Sequence, residues 1–198
     1  MTLNELIRFA ILTVRQPDTA MAVLRGFDLP LSARWMALLL AVSLSSLLMG
    51  VLSLGVEEAA GDPLGALADA PLKLAALQFL GMSFFAFMMA QVGRLFGGHG
   101  DFPDALLTVA WIELILIVTQ AICLAVALIL PPLGLIMIVL AYGMAFYLIL
   151  RLTQALHGFQ NTFLVLLGFI GALFVVSFAL SILASFLGIM PELPTNDV

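Results

Sequence analysis

Long apolar runs separated by short polar turns dominate the chain. A membrane-spanning helix needs about 20 apolar residues. Five runs approach or exceed that length, at residues 35–56, 74–93, 105–130, 133–150 and 162–190. The Pro131-Pro132 pair forces a tight reversal between the third and fourth runs. The pattern therefore predicts an all-α, polytopic membrane bundle of five transmembrane helices. In a four-span alternative, the fourth run would be re-entrant, since it is the shortest.

The first 16 residues alternate apolar and polar positions with the period of an amphipathic helix. Thr2 and Glu5 have the spacing of a capping box, and Pro17 ends the pattern. A second short helix is expected from about Thr19 to Arg25. The apolar face predicted for the first helix comprises Leu3, Leu6, Ile7, Ala10, Ile11 and Val14. This face either lies in the lipid headgroup layer or packs on the cytoplasmic ends of the spans.

The domain organisation follows from these segments. Residues 1–31 form a cytoplasmic amphipathic N-terminal segment. Residues 32–190 form a five-helix transmembrane domain, and residues 191–198 form a short tail on the outer side. Charged residues interrupt the first segment, which argues against a signal peptide.

Composition agrees with this class of protein. Hydrophobic residues make up 64% of the chain and charged residues 10%, whereas soluble proteins average about 45–50% and about 25%. The basic residues are too few and too scattered to predict nucleic-acid binding. The one cysteine, Cys123, lies inside an apolar run, so no disulfide framework is expected. Nothing in the composition predicts a cofactor.

The distribution of basic residues predicts the orientation, because cytoplasmic loops are enriched in lysine and arginine. With the N-terminus in the cytoplasm, only Lys73 of the seven basic residues falls outside. The acidic loop at residues 57–71 and the tail then also lie outside, which gives an N-in, C-out topology. The residues placed inside are Arg8, Arg15, Arg25, Arg34, Arg94 and Arg151.

Glu113 is an ionisable residue inside a predicted span. It lies about 13 Å along the helix from Asp104. An ionised side chain at this depth costs about 2–3 kcal/mol, so Glu113 should face the bundle or water. Together with Gln120, and with Gln91 or Arg94 from the second span, it forms a candidate intramembrane polar site. The carboxyl either fixes helix packing by hydrogen bonding or serves as a site for a proton, an ion or a headgroup.

The turn between the second and third runs has the sequence RLFGGHGDFPD. Its glycines let the chain reverse within a few residues, and Asp101 can cap the third helix. The turn lacks the GxxxxGK[ST] pattern of a phosphate-binding loop. Two histidines without ligand spacing do not predict a metal site, and surface histidines are expected. The candidate cytoplasmic loop site comprises Gly97, Gly98, His99, Gly100, Asp101, Phe102 and His157.

The GGHGDF turn, followed by an apolar helix and a link that contains His157-Gly158-Phe159, resembles the bacterial branch of the Yip family, the Ypt/Rab-interacting-protein domain. The resemblance extends from the N-terminal helix to the end of the fifth span. It implies five spans, a cytoplasmic N-terminus and a location in the bacterial inner membrane. Eukaryotic relatives bind prenylated small GTPases and assemble with partner membrane proteins in vesicle traffic.

The residues show no catalytic constellation, so we do not expect an enzyme. The preferred hypothesis is a membrane-embedded adaptor or scaffold in membrane organisation or a trafficking-like process. Its N-terminal helix and cytoplasmic loops would contact the lipid bilayer, a partner membrane protein or a second copy. The alternative is a small permease, channel or lipid-moving protein that uses Glu113 and Gln120.

Overall fold

The computed structural model describes residues 2–53 and 71–186, and all regular structure in these ranges is α-helical. The all-α prediction is therefore confirmed. Residues 57–70 of the predicted acidic loop and the tail at residues 191–198 lie outside the described residues. The helices are α1 (Leu3–Arg15), α2 (Pro17–Gly26), α3 (Leu31–Ser53), α4 (Pro71–Leu95), α5 (Phe102–Ile129), α6 (Pro131–His157) and α7 (Thr162–Phe186).

Four helices in the described ranges are long and apolar enough to cross a membrane. They are Leu31–Gly50, Ala75–Leu95, Phe102–Ile129 and Pro131–His157. The helix α7 is 25 residues long, Thr162–Phe186.

The fourth predicted run continues as a helix well past its expected end at Leu150. The helix α6 is 27 residues long and includes Arg151. Leu152 and Leu156 are buried, so the apolar pattern that holds this helix in the bundle continues beyond the arginine. Gly158 then ends the helix in the left-handed conformation, with φ 71°. The helix α6 is therefore long and apolar enough to cross a membrane, so its length gives no reason to choose the fourth run as the re-entrant one in the four-span alternative.

The helix α5 forms the centre of the bundle and packs against α3, α4 and α6. Small residues on the facing helices, including Ala41, Ala86 and Ala90, are buried and let the backbones approach closely. The first three turns of α5 are almost entirely buried, at Ala105, Leu106, Leu107, Thr108, Val109, Ala110, Trp111 and Ile112.

The two ends of the bundle differ in chemistry. At one end, Leu130 alone separates α5 from α6, and Pro131 occupies the first turn of α6, which confirms the predicted tight reversal. At the other end lie Arg25, Arg34, Arg94 and Asp104, and we refer to it as the basic end. The sites described below are built mainly there.

Candidate functional site

The last residue of α6 is enclosed by the glycine-rich turn that follows α4. The His157 side chain is 1% exposed. Its Nδ1 accepts a hydrogen bond from the Gly100 N–H at 3.1 Å, and its Nε2 lies 3.0 Å from the Met89 carbonyl oxygen. An amide N–H can only donate, and a carbonyl oxygen can only accept. The ring is therefore neutral, with its proton on Nε2. The expectation that His157 is a surface histidine is wrong.

Three glycines let the imidazole approach the backbone. A Cβ at Gly98 would lie 2.5 Å from Nδ1 of His157, and a Cβ at Gly100 would lie 2.7 Å from Cε1. A Cβ at Gly93 would overlap the ring. The turn itself requires a glycine at Gly97, where φ is 84°. Gly98 and Gly100 were predicted for chain reversal, but together with Gly93 they make room for one side chain.

The side chains of the remaining loop residues make contacts other than with the His157 ring. His99 is exposed, and its N–H donates to the His157 carbonyl oxygen at 3.3 Å. Asp101 caps α5, as predicted, by accepting a hydrogen bond from the Asp104 N–H at 2.9 Å. The Phe102 ring packs on Trp35, with 5.8 Å between ring centroids. Of the candidate loop site, the structure therefore brings Gly98, His99 and Gly100 against His157, whose two ring nitrogens are already engaged.

Asp104 joins two arginines at the basic end. Its Oδ1 accepts from Nη1 of Arg34 at 2.6 Å, and its Oδ2 accepts from Nε of Arg25 at 2.8 Å. Arg25 also donates to the Leu156 carbonyl oxygen at 2.7 Å, near the end of α6. One carboxylate therefore links α2, α3 and α5, and Arg25 extends the link to α6. The sequence analysis missed this network, although Asp104 was visible beside several arginines predicted for the same side.

Glu113 belongs to a polar cluster shared by three helices. Its Oε1 accepts from Nε2 of Gln78 at 2.9 Å, and the same amide nitrogen lies 3.0 Å from the Ser45 hydroxyl. The Ser46 hydroxyl donates to Oε1 of Gln78 at 3.1 Å. Glu113 is 5% exposed. Among the described residues, every buried side-chain nitrogen and oxygen has a hydrogen-bond partner.

The partners predicted for Glu113 lie elsewhere. Gln120 is exposed, and Arg94 donates to the Gly100 carbonyl oxygen at 3.0 Å. Gln91 is half-buried near the end of α4. Glu113 lies about three turns into α5, whereas Gln91 and Arg94 lie near the turn between α4 and α5. Gln78 is the residue of α4 that reaches the carboxyl.

The N-terminal helix packs against the bundle through a face that overlaps the predicted one only in part. The Phe9 ring lies 4.6 Å from the Trp111 ring, measured between centroids. The indole Nε1 of Trp111 donates to Oγ1 of Thr13 at 2.9 Å. Ile7 and Ile11, which belong to the predicted apolar face, are instead 50% and 49% exposed. The helix α1 thus has one face on the bundle and a second apolar face that the described residues leave uncovered.

A comparison with known protein families identifies the family of this chain. The family model described as the Yip1 domain matches residues 11–183. The chain belongs to the Yip1 domain family. Comparisons with curated proteins and with solved structures give no match. Membership of this family, together with the apolar helices, makes the chain an integral membrane protein of Yip type.

The Yip1 match begins in α1 and ends in α7, so it includes the His157 pocket, Asp104 and the Glu113 cluster. Sequence reasoning placed Gly98, Gly100 and His157 in one candidate site, but it did not find the partners of Asp104 or of Glu113. For the Glu113 cluster the available signal was Gln78, a second strongly polar residue within an apolar run.

Proposed function

We propose that this Yip1 protein is a membrane-embedded adaptor that presents its basic end to a partner membrane protein or to a second copy. One observation carries the proposal. The helices α1 and α2 are fixed on the bundle, yet α1 keeps an uncovered apolar surface. We call this surface the α1 ridge, and it consists of Leu6, Ile7 and Ile11, which are 39%, 50% and 49% exposed.

The attachments of α1 and α2 support a preformed binding surface. Thr13 is held by Trp111, and Arg25 is held by Asp104. The hydroxyl of Tyr147 also donates to the Val14 carbonyl oxygen at 3.1 Å, which ties the end of α1 to α6. A surface that is ordered before binding loses less conformational entropy when a partner docks. This favours recognition by the ridge over a purely structural role for the two helices.

The polar groups inside the bundle also support an adaptor. Glu113 and His157 are both buried, and each is engaged by hydrogen bonds within the fold. Polar side chains that hydrogen-bond between membrane helices help to hold those helices together. The proposal therefore includes no catalytic step and no transported species.

The proposed orientation is N-in and C-out with five spans, in the inner membrane of a bacterium. The arginines gathered at the basic end support it through the positive-inside rule. Since Cys123 is the one cysteine of the chain, Cys123→Ser gives a background for labelling. A membrane-impermeant maleimide applied to intact cells should label Leu130→Cys, at the other end of the bundle, but not Gln16→Cys. The reverse pattern would contradict the orientation.

The adaptor proposal is tested by affinity purification from native membranes in mild detergent. Ile7→Asp places a charge in the α1 ridge and should abolish recovery of the partner or of a differently tagged second copy. Thr19→Asp is the matched control, because it adds the same charge in the exposed first turn of α2, where the helix dipole favours it. The proposal would be contradicted if both variants recovered the partner equally, or if neither variant recovered it.

A further inference from the structure

A cavity of about 160 Å³ lies between α4, α6 and α7. Its wall is almost entirely apolar, and all three helices contribute to it. Residues that line it include Met88, Val92, Ile149, Val165, Gly168 and Ala172. The glycine matters for the shape of the wall, because a Cβ at Gly168 would lie 3.4 Å from the ring of Phe96.

The cavity opens towards the bilayer. Phe84 and Leu173 line it, and their side chains are 49% and 52% exposed on helices whose outer surfaces are apolar. A ligand that enters between these residues comes from the hydrocarbon region. The bilayer rather than the aqueous phase therefore supplies the occupant.

The cavity is suited to hydrocarbon and not to water. Apolar cavities of about 150 Å³ stay dry in proteins and accept small apolar ligands. Lipid tails are as apolar as the residues that line the cavity. An acyl chain that moves from the bilayer into the cavity therefore gains nothing from the hydrophobic effect. Occupancy instead gains the dispersion contacts that the lining residues lack while the cavity is empty.

Two arginines lie next in sequence to lining residues at the basic end of the cavity, although neither arginine lines it. Arg94 follows the lining residue Gly93 on α4, and Arg151 follows the lining residue Leu150 on α6. Arg151 is half-buried and donates to Oε1 of Gln154 at 2.8 Å. Basic residues at a membrane surface attract anionic lipid headgroups. A chain that lies in the cavity would thus carry its headgroup towards two arginines.

We infer that the cavity holds one acyl chain of an anionic phospholipid, with the headgroup at the basic end. This site is separate from the α1 ridge, which lies on the N-terminal helix, and it does not depend on the adaptor proposal. The bound chain would fill the space between α7 and the helices α4 and α6, so the lipid would stabilise the position of α7.

The test uses the full chain in vesicles of phosphatidylcholine that contain a minor fraction of phosphatidylglycerol with a diazirine in its acyl chain. After irradiation, wild-type protein should carry the label on peptides that line the cavity. Ala172→Phe fills the cavity and should abolish that labelling. Ala121→Phe is the control, because it makes the same change at an exposed position of α5. Ala172→Leu replaces the larger variant if the Phe variant does not fold.

A separate part of the experiment tests the position of the headgroup. Arg151→Gln should lower labelling by phosphatidylglycerol about fivefold, which corresponds to about 1 kcal/mol, and Arg151→Lys should retain it. Labelling spread evenly over exposed helix faces, and unchanged by Ala172→Phe, would overturn the inference. Selective recovery of an isoprenoid from the purified protein, or indifference to the headgroup charge, would overturn it as well.

Discussion

Gly93→Ala should destabilise this protein, although alanine normally stabilises a helix. Gly93 lies in the last turns of α4, and its Cα faces the ring of His157. Replacing glycine by alanine inside a helix usually stabilises that helix by about 1 kcal/mol. Here the added methyl group would overlap the imidazole, whose two ring nitrogens are held by Gly100 and Met89.

The expected cost follows from overpacking a tightly packed site, which destabilises proteins by about 1–3 kcal/mol. Gly81→Ala is the matched control in the same helix, because a Cβ at Gly81 would meet nothing within 4 Å. That control should be neutral or should stabilise by up to about 1 kcal/mol. The two substitutions are chemically identical, but the changes that they cause in the free energy of unfolding should differ in sign.

A double-mutant cycle identifies His157 as the cause. His157→Ala alone should cost about 3–5 kcal/mol, because it leaves a cavity and leaves the buried Gly100 N–H without its acceptor. In the double variant, Gly93→Ala should add no further cost, since the ring that it clashes with is absent. The coupling energy between the two sites should then be about 1–3 kcal/mol.

The assay is reversible unfolding of the purified protein in mild detergent by titration with sodium dodecyl sulfate. Trp35 and Trp111 are the two tryptophans of the chain and report on the transition by fluorescence. Additive free energies, within about 0.5 kcal/mol, would show that the methyl group and the imidazole do not meet. Stabilisation by Gly93→Ala, equal to that of Gly81→Ala, would refute the account of the pocket.

Two further substitution pairs test the other polar groups in the same unfolding assay. Glu113→Gln should be tolerated better than Glu113→Ala, by about 1–3 kcal/mol, because the amide can still accept from Gln78, whereas alanine removes that hydrogen bond and leaves a cavity. Equal losses would contradict a hydrogen-bonding role. Arg34→Gln should cost about 3 kcal/mol and Arg25→Gln about 1–2 kcal/mol, because the side chain of Arg34 is 10% exposed and that of Arg25 is 41% exposed. A larger loss for Arg25 would show that Asp104 is not the centre of the network.

Local signals in the sequence predicted the local features of the fold. Thr2 and Glu5 form the expected capping box, with the Thr2 N–H donating to the Glu5 carboxylate at 2.7 Å. Pro131 begins α6 at the predicted corner, and Asp101 caps α5. Each of these features depends on residues within a few positions of one another, so the local pattern carries the information.

Features that depend on distant residues were not predicted. The burial of His157 requires Gly93, Gly98 and Gly100 to meet the end of α6, some 60 residues later in the chain. Hydropathy could not predict that Arg151 would lie inside α6 either, because an arginine is typical of the end of a span. Periodicity predicted the buried face of α1 only in part: Leu6, Ile7 and Ile11 are exposed. Ala10 and Val14 pack against the core as that face predicts, but so do Phe9 and the polar residue Thr13.

Site-specific photo-crosslinking in native membranes tests the adaptor proposal most directly. A photoreactive amino acid at Ile11 reports on the α1 ridge, and one at Leu128, which is 77% exposed near the other end of α5, reports on the bilayer-facing surface. The proposal predicts a discrete protein adduct from position 11 that is lost when Ile7→Asp is added, and lipid adducts from position 128. Lipid adducts alone from both positions would contradict it, because the ridge would then contact only the membrane.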